Sequence, residues 1–217
     1  MATFSAAAAV AALGSADDEL GQVLALHRAA GVQEPERLTL SVGDRRLLAL
    51  HRSLTGRDVE VAATCAECDA VNVAVLSAQT VPPHATRTAW LAPGGGLREP
   101  TYGDLVDLPA DPKVAEVALV RRCIVGALAC VPDPHELERI DGSLAGPISL
   151  ACAVCGAAVD IAADVERLVL EGLQRHAAEI EVEIHLLAGA YGWSLPAIEA
   201  LPDERRRGLA GLVADGR

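Results

Sequence analysis

The longest regular pattern of apolar and polar positions lies near the C-terminal end of the chain. From Asp164 onward, apolar side chains recur every three or four residues, with charged residues between them. The apolar positions are Val165, Leu168, Val169, Leu173, Ala177, Ile180, Ile184, Leu187 and Tyr191. This spacing predicts an amphipathic helix of about 25 residues with Asp164 as its N-cap. Ser194 and Pro202 then predict two shorter helices, one around 195–200 and one that begins at Pro202.

Two other stretches alternate apolar and polar residues, and each contains a Cys-x-x-Cys pair. They are residues 58–76 and residues 147–165. Val59, Val61, Val71, Val73 and Val75 alternate in the first, and Ile148, Leu150, Val159 and Ile161 mark the second. Alternation on both sides of a short turn predicts two β-hairpins, each with a cysteine knuckle at its tip.

The rest of the chain is predicted to be helical, with one long break. Helices are expected over 16–29, from Ser41–Asp44 to Gly56, from Asp111 to about Cys130, and over 134–140, with a short strand over 36–42. Ser15–Asp18, Ser41–Asp44 and Thr101–Asp104 have the spacing of capping pairs. Residues 77–100 hold four prolines and the run Gly94-Gly95-Gly96, which predicts a loop.

Composition and charge narrow the class of protein. The 217 residues are 51% hydrophobic and 22% charged, so the chain is expected to fold around a core. The net charge of −12 argues against binding to a nucleic-acid backbone. No apolar run approaches the ~18 to 20 residues that span a bilayer, so no membrane association is expected. Residues 1–14 lack the basic start of a signal peptide, which predicts a cytoplasmic protein with reduced thiols.

The four paired cysteines, Cys65, Cys68, Cys152 and Cys155, carry the clearest chemistry. Two knuckles supply four thiolates, which is the full tetrahedral shell of a structural zinc ion. The spacing is unusual, because 83 residues separate Cys68 from Cys152. A hairpin pair that has lost its metal and a pair of redox dithiols are the alternatives. Neither pair follows a βαβ strand at the start of a helix, which argues against redox chemistry.

These predictions combine into an α+β fold class. Helices surround two β-hairpins whose Cys-x-x-Cys knuckles form a split zinc-ribbon-like unit, followed by the long C-terminal amphipathic helix. Residues 1–14 are expected to be a flexible Ala-rich arm. Residues 15–163 are expected to form the helical and zinc-knuckle domain, including loop 77–100. Residues 164–217 are expected to form a C-terminal helical segment that packs on this domain or extends from it.

No catalytic motif is present in the sequence. It has no Gly-x-Ser-x-Gly elbow, no His-Glu-x-x-His pair and no phosphate-binding loop, and its six histidines are scattered. Four thiolates around zinc leave no open position for a reacting water. The run Arg205-Arg206-Arg207 is interpreted as a solvated helix face beside Asp203 and Glu204. We therefore expect that the protein is not an enzyme.

The segment 183–213, EIHLLAGAYGWSLPAIEALPDERRRGLAGLV, is the most distinctive part of the chain. It resembles the T-even-phage-type baseplate hub assembly chaperones of contractile injection systems. The matching positions are Glu183, His185, Tyr191, Gly192, Trp193, Ser194, Ile198, Leu201, Arg205 and Arg206. Discontinuous similarity extends over residues 40–213. The sequence departs from the family at the first knuckle, where the proline after Cys65 is missing and Asp69 replaces a glycine.

The resemblance implies a role in assembly of the baseplate, the hub or the spike of a contractile tail, through contacts with those proteins. Tyr191, Trp193, Leu195 and Ile198 are the predicted partner-binding residues, since aromatic anchors dominate protein interfaces. The alternative for Tyr191 and Trp193 is that they pack the helix end onto the core. A permanent minor component of the baseplate and a zinc-ribbon adaptor are the alternative functions.

Overall fold

The computed structural model describes residues 6–79, 81, 84–92 and 94–216, with side chains described from residue 8 onward. These residues form helices and short antiparallel strands. The helices are α1 (Ala6–Leu13), α2 (Glu19–Ala29), α3 (Leu40–Thr55), α4 (Tyr102–Leu105), α5 (Pro112–Arg122), α6 (Pro134–Glu138), α7 (Val165–Tyr191), α8 (Leu195–Glu199) and α9 (Asp203–Ala214). The strands are β1 (Val59–Thr64), β2 (Val71–Leu76), β3 (Thr88–Ala92), β4 (Gly95–Arg98), β5 (Ile124–Gly126), β6 (Gly146–Ala151) and β7 (Ala158–Ala163). The fold is therefore mixed α+β, as predicted.

The chain divides into two compact units, Met1–Glu171 and Gly172–Arg217. The boundary falls inside α7, a few residues after the predicted division at residue 164. The long C-terminal helix itself is confirmed, and Asp164 begins it by accepting the N–H of Arg167 at 3.1 Å.

The Ala-rich segment expected to be a flexible arm over residues 1–14 contains helix α1, and residues 1–5 lie outside the described part of the chain. Ala9, Ala12 and Leu13 are buried, and α1 packs against α2. Alanine is the strongest helix former, so this composition favours a short packed helix over a flexible arm.

Helix α3 begins at Leu40, which places the last three residues of the predicted strand 36–42 in a helix. Ser41 and Asp44, predicted to cap this helix, are instead buried within its first turns. Asp44 accepts the backbone N–H of Leu144 at 2.6 Å, which ties α3 to a segment 100 residues away. The spacing of the pair is that of a cap, but tertiary contacts use both side chains.

Strands β3, β4 and β5 form an antiparallel sheet, and two of them lie inside the predicted loop 77–100. The glycine run serves close contact between strands, because a Cβ on Gly96 would lie 2.2 Å from the carbonyl oxygen of Ala89. Strand β5 also explains why α5 ends at Arg122 instead of continuing to Cys130, as the sequence predicted.

The two predicted cysteine hairpins are present and share one plan. Strands β1 and β2 pair with Val59 opposite Leu76, and β6 and β7 pair with Gly146 opposite Ala163. Each position in the first hairpin therefore corresponds to the position 87 residues later in the second, as Cys152 corresponds to Cys65. Strand β1 lies against β7, and the inner faces pack into one apolar cluster around Cys65 and Cys152. This arrangement brings the two knuckles together.

The second unit is built from the later turns of α7 with α8 and α9. Its core consists of Leu187, Ile198 and Ala210. Arg206 is buried, and it pairs with Glu183 and Asp203, each at 2.8 Å. For Arg206 the prediction of a solvated arginine face was therefore wrong, because this guanidinium links α9 to α7.

Candidate metal centre

The side chains of Cys65, Cys68, Cys152 and Cys155 converge on one point. Their sulfur atoms all lie within 4.8 Å of one another. Across the hairpins, the sulfurs of Cys65 and Cys155 are 3.6 Å apart, and so are those of Cys68 and Cys152. Four sulfurs at the ~2.3 Å bond length of tetrahedral zinc would be about 3.8 Å apart. The four free thiols therefore have the number and spacing that a tetrahedral metal site requires.

Each knuckle is closed by the same two backbone hydrogen bonds. In the first, Cys65 N–H donates to Ala70 at 2.9 Å, and Asp69 N–H donates back to Cys65 at 3.0 Å. In the second, Cys152 N–H donates to Ala157 at 2.7 Å, and Gly156 N–H donates to Cys152 at 2.9 Å. These bonds fold each Cys-x-x-Cys into a tight turn that directs both sulfurs to one side.

The residue after each second cysteine has left-handed backbone geometry. The φ angle is +58° at Asp69 and +76° at Gly156. Glycine takes this conformation without steric cost, and aspartate tolerates it better than most side chains. The sequence departure at Asp69 therefore leaves the geometry of the first knuckle intact.

Asn72 joins the two knuckles, and sequence analysis missed it. This buried side chain donates to the carbonyl of Ala70 at 3.0 Å and accepts the backbone N–H of Ala153 at 3.0 Å. Its amide also lies 3.5 Å from the sulfur of Cys152. Groups that orient metal ligands in this way contribute strongly to metal affinity. A polar residue at the centre of an apolar strand was the available signal.

The electrostatics of the cluster favour a bound cation. The backbone N–H groups of Cys155 and Val154 point at the Cys152 sulfur and lower the pKa of that thiol to about 6. The N–H of Ala70 acts in the same direction on Cys68. The neighbouring cysteines, with Cys155 first, outweigh that effect and raise the pKa of Cys68 to about 12. One thiolate thus forms readily, but the neighbouring sulfurs oppose a second, so four thiolates could coexist here only around a positive ion.

Another buried polar group lies in the first unit, around Glu99. Its carboxylate accepts from the Ser41 hydroxyl and from the Arg87 N–H, each at 2.8 Å, and it contacts His84 Nε2. A hydrolytic triad needs its hydroxyl to contact the imidazole. Here the hydroxyl of Ser41 contacts the carboxylate instead, so the group has the character of a structural network.

The predicted partner-binding residues divide into two kinds. Tyr191 and Trp193 are exposed and stacked, with ring centroids 4.9 Å apart and ring planes 26° apart, and Leu195 is exposed beside them. Ile198 is completely buried against Leu187 and Ala210. Ile198 therefore belongs to the core of the second unit, which corrects the expectation that it meets a partner.

None of the helices in the described part of the chain has the length and the apolar composition of a membrane span. Comparison with protein-family models, with curated proteins and with solved structures finds no match for this chain. The geometry of the four-cysteine cluster and the residues around it are therefore the basis of the functional conclusions.

Proposed function

We propose that this is a non-enzymatic protein in which one zinc ion, bound by Cys65, Cys68, Cys152 and Cys155, joins two distant β-hairpins. The convergence of four thiols within 4.8 Å carries this proposal. Zinc is the metal that suits a tetrahedral set of four thiolates. Because these four sulfurs fill the tetrahedral shell, the ion is structural.

Metal analysis of the purified protein tests this site. We expect one zinc ion per chain in the wild type and its loss when any of the four cysteines is changed to serine. Cys130→Ser is the matched control, since Cys130 is exposed and lies outside the cluster. A wild-type protein without metal, with disulfides within each Cys-x-x-Cys pair, would contradict the zinc site and favour the dithiol alternative.

We further propose that the protein acts in assembly of the baseplate or hub of a contractile, phage-tail-like injection system. The resemblance of residues 183–213 to baseplate hub assembly chaperones supports this role. The stacked, exposed pair of Tyr191 and Trp193 supports a protein-binding function, because large aromatic side chains anchor many interfaces.

Co-expression with a tail gene cluster, followed by affinity purification, tests the assembly role. We expect hub or baseplate proteins to co-purify with the wild type and to be lost from a Tyr191→Ala/Trp193→Ala variant. Trp90→Ala is the control, because Trp90 is an exposed tryptophan outside the second unit. Recovery of no tail protein would contradict the role.

Two further measurements separate the alternatives. Mass spectrometry of purified particles distinguishes an assembly factor, which is absent from them, from a permanent baseplate component. A salt-dependent gel shift with nucleic acid would favour a zinc-ribbon adaptor.

A further inference from the structure

The outer face of the first hairpin carries an apolar stripe exposed to solvent. Val71, Val73 and Val75 occupy alternate positions of β2 and are 69%, 52% and 51% exposed. Their partners across β1 are Thr64, Ala62 and Glu60. Three valines at alternate positions on one face, each more than half exposed, form a continuous surface rather than scattered exposure.

The second hairpin shows that the cysteine knuckle does not need this stripe. The positions that correspond to the three valines are Ala158, Asp160 and Ala162, and all three are exposed. Valine has a high intrinsic strand propensity, but the second hairpin forms a strand of equal length with alanine and aspartate at these positions. Formation of the hairpin therefore does not explain why β2 has valines at its three exposed positions.

The charges around the stripe indicate what chemistry would complement it. Residues 58–76 contain no lysine and no arginine. Glu60 lies on the stripe itself, and Glu67 and Asp69 are exposed on the knuckle at its end. A partner with basic residues would complement this surface. A second copy would bring like charges together, and an anionic surface would be repelled.

The dimensions fit one helix. From Val71 to Val75 the stripe is about 13 Å long, at ~3.3 Å per strand residue. An α-helix with its side chains is about 10 Å wide and covers that length in roughly nine residues. An apolar sheet face is commonly covered by a helix that turns its own apolar side toward it.

We propose that the outer face of the first hairpin binds an amphipathic helix of another protein, with apolar residues on one side and lysine or arginine at the margins. This surface belongs to the first unit, whereas Tyr191 and Trp193 belong to the second. The proposal therefore goes beyond the baseplate role and does not depend on it.

A pair of synthetic helical peptides provides the test with the full-length, metal-loaded protein. One peptide has leucines on one face and lysines at the margins, and the other replaces every lysine with glutamate. Fluorescence anisotropy should show at least tenfold tighter binding of the lysine peptide. Val71→Thr/Val73→Thr/Val75→Thr should weaken that binding at least tenfold, because threonine keeps the β-branched shape but removes apolar surface. Ala158→Thr/Ala162→Thr, on the second hairpin, should leave it unchanged.

Three outcomes would overturn the proposal. They are no binding of the lysine peptide, binding that survives the three threonines, and a wild-type dimer in sedimentation analysis that the threonines abolish. Metal content and circular dichroism establish that the threonine variant is folded. If it is not folded, Glu60→Gln/Glu67→Gln/Asp69→Asn is the second variant. Removal of these three charges should weaken lysine-peptide binding severalfold. Unchanged binding would refute the proposal.

Discussion

The two cysteine hairpins have the same backbone plan, but next to the knuckle they place their large apolar side chains on different faces. On the inner face, Ala63, Asn72 and Ala74 of the first hairpin correspond to Leu150, Val159 and Ile161 of the second. On the outer face, the three valines of the first correspond to alanine, aspartate and alanine. Next to the knuckle, the second hairpin thus buries its large side chains, whereas the first exposes the valines of β2. Farther from the knuckle, the first hairpin buries Val59 and Leu76. The two hairpins nevertheless contribute two cysteines each to the same four-cysteine cluster.

This difference predicts how a bound metal would stabilise each half. An isolated two-stranded hairpin is marginal in water, and apolar packing is what normally supports it. The second hairpin has that packing from its own inner face. Next to its knuckle the first hairpin has smaller inner side chains, so we expect it to depend more on its cysteines and on Asn72.

The largest expected effect follows from removal of the metal. With a strong chelator present, amide hydrogens of β1 and β2 should lose protection from exchange roughly a hundredfold more than those of β6 and β7, a difference of about 2.7 kcal/mol. Hydrogen exchange with mass spectrometry of the whole chain measures both hairpins at once. Equal loss of protection in the two hairpins would show that the inner faces contribute alike.

The next effect concerns Asn72 and Val159, which occupy corresponding positions. Asn72→Ala leaves the N–H of Ala153 without its acceptor and should cost about 2 kcal/mol of unfolding free energy. It should also weaken zinc binding 10- to 100-fold, as losses of such supporting groups do. Val159→Ala should cost a similar free energy through its cavity.

Competition with a chromophoric chelator then separates these two variants. Zinc affinity should fall for Asn72→Ala and stay within about threefold of the wild type for Val159→Ala. Equal affinities would mean that Asn72 acts only as a packing residue.

The hairpins and their cysteines were predictable from the sequence because each is a local pattern. Alternation predicts a strand, and Cys-x-x-Cys predicts a knuckle, without knowledge of distant residues. The face that packs inward was not predictable in the first hairpin. There Val71, Val73 and Val75 predict the inner face of β2. Asn72, with Ala70 and Ala74 on either side of it, lies on the buried side instead, since pairing with the second knuckle selects this face.

Other features depended on distant contacts in the same way. The sequence places Ser41 and Asp44 at the start of a helix, but their partners Glu99 and Leu144 are far along the chain. Strand β4 is half glycine, so no propensity predicts it, and it forms because neighbouring strands approach closely. Thr101 and Asp104, in contrast, form the capping box that their spacing predicts.

Acidification should distinguish the metal centre from the buried carboxyl groups of the same unit. Burial raises the pKa of Asp44 to about 7, against the N–H of Leu144, which lowers it. Burial and the nearby Asp44 raise the pKa of Glu166 to about 8. Both groups bind more protons when folded than when unfolded between about pH 4 and pH 8, so they lower stability as the pH rises through this range.

Metal-free protein should therefore gain on the order of 1 to 2 kcal/mol of unfolding free energy between pH 8 and pH 7. Asp44→Asn/Glu166→Gln keeps the acceptor for Leu144 and should remove this gain. In metal-loaded protein, acid protonates the thiolates and releases the ion, so stability should fall instead. Denaturant unfolding at each pH measures the stability of the metal-free and of the metal-loaded protein. The same pH trend in both would refute the prediction that acid stabilises one and destabilises the other.

The smallest expected effect lies in the turn of each knuckle, at Asp69 and Gly156. A Cβ added at Gly156 would have no atom within 4 Å, so only its φ of +76° opposes a side chain there. Gly156→Ala should therefore cost about 1 kcal/mol of unfolding free energy, and Gly156→Asp about half of that, because aspartate tolerates left-handed geometry. Asp69→Gly should change stability by less than about 0.5 kcal/mol, since relief of strain is offset by greater freedom of the unfolded chain. Thermal melts of the three metal-loaded variants test this order. A larger loss for Gly156→Asp than for Gly156→Ala would mean that the negative charge beside the thiolates, rather than backbone geometry, sets the difference between the two knuckles.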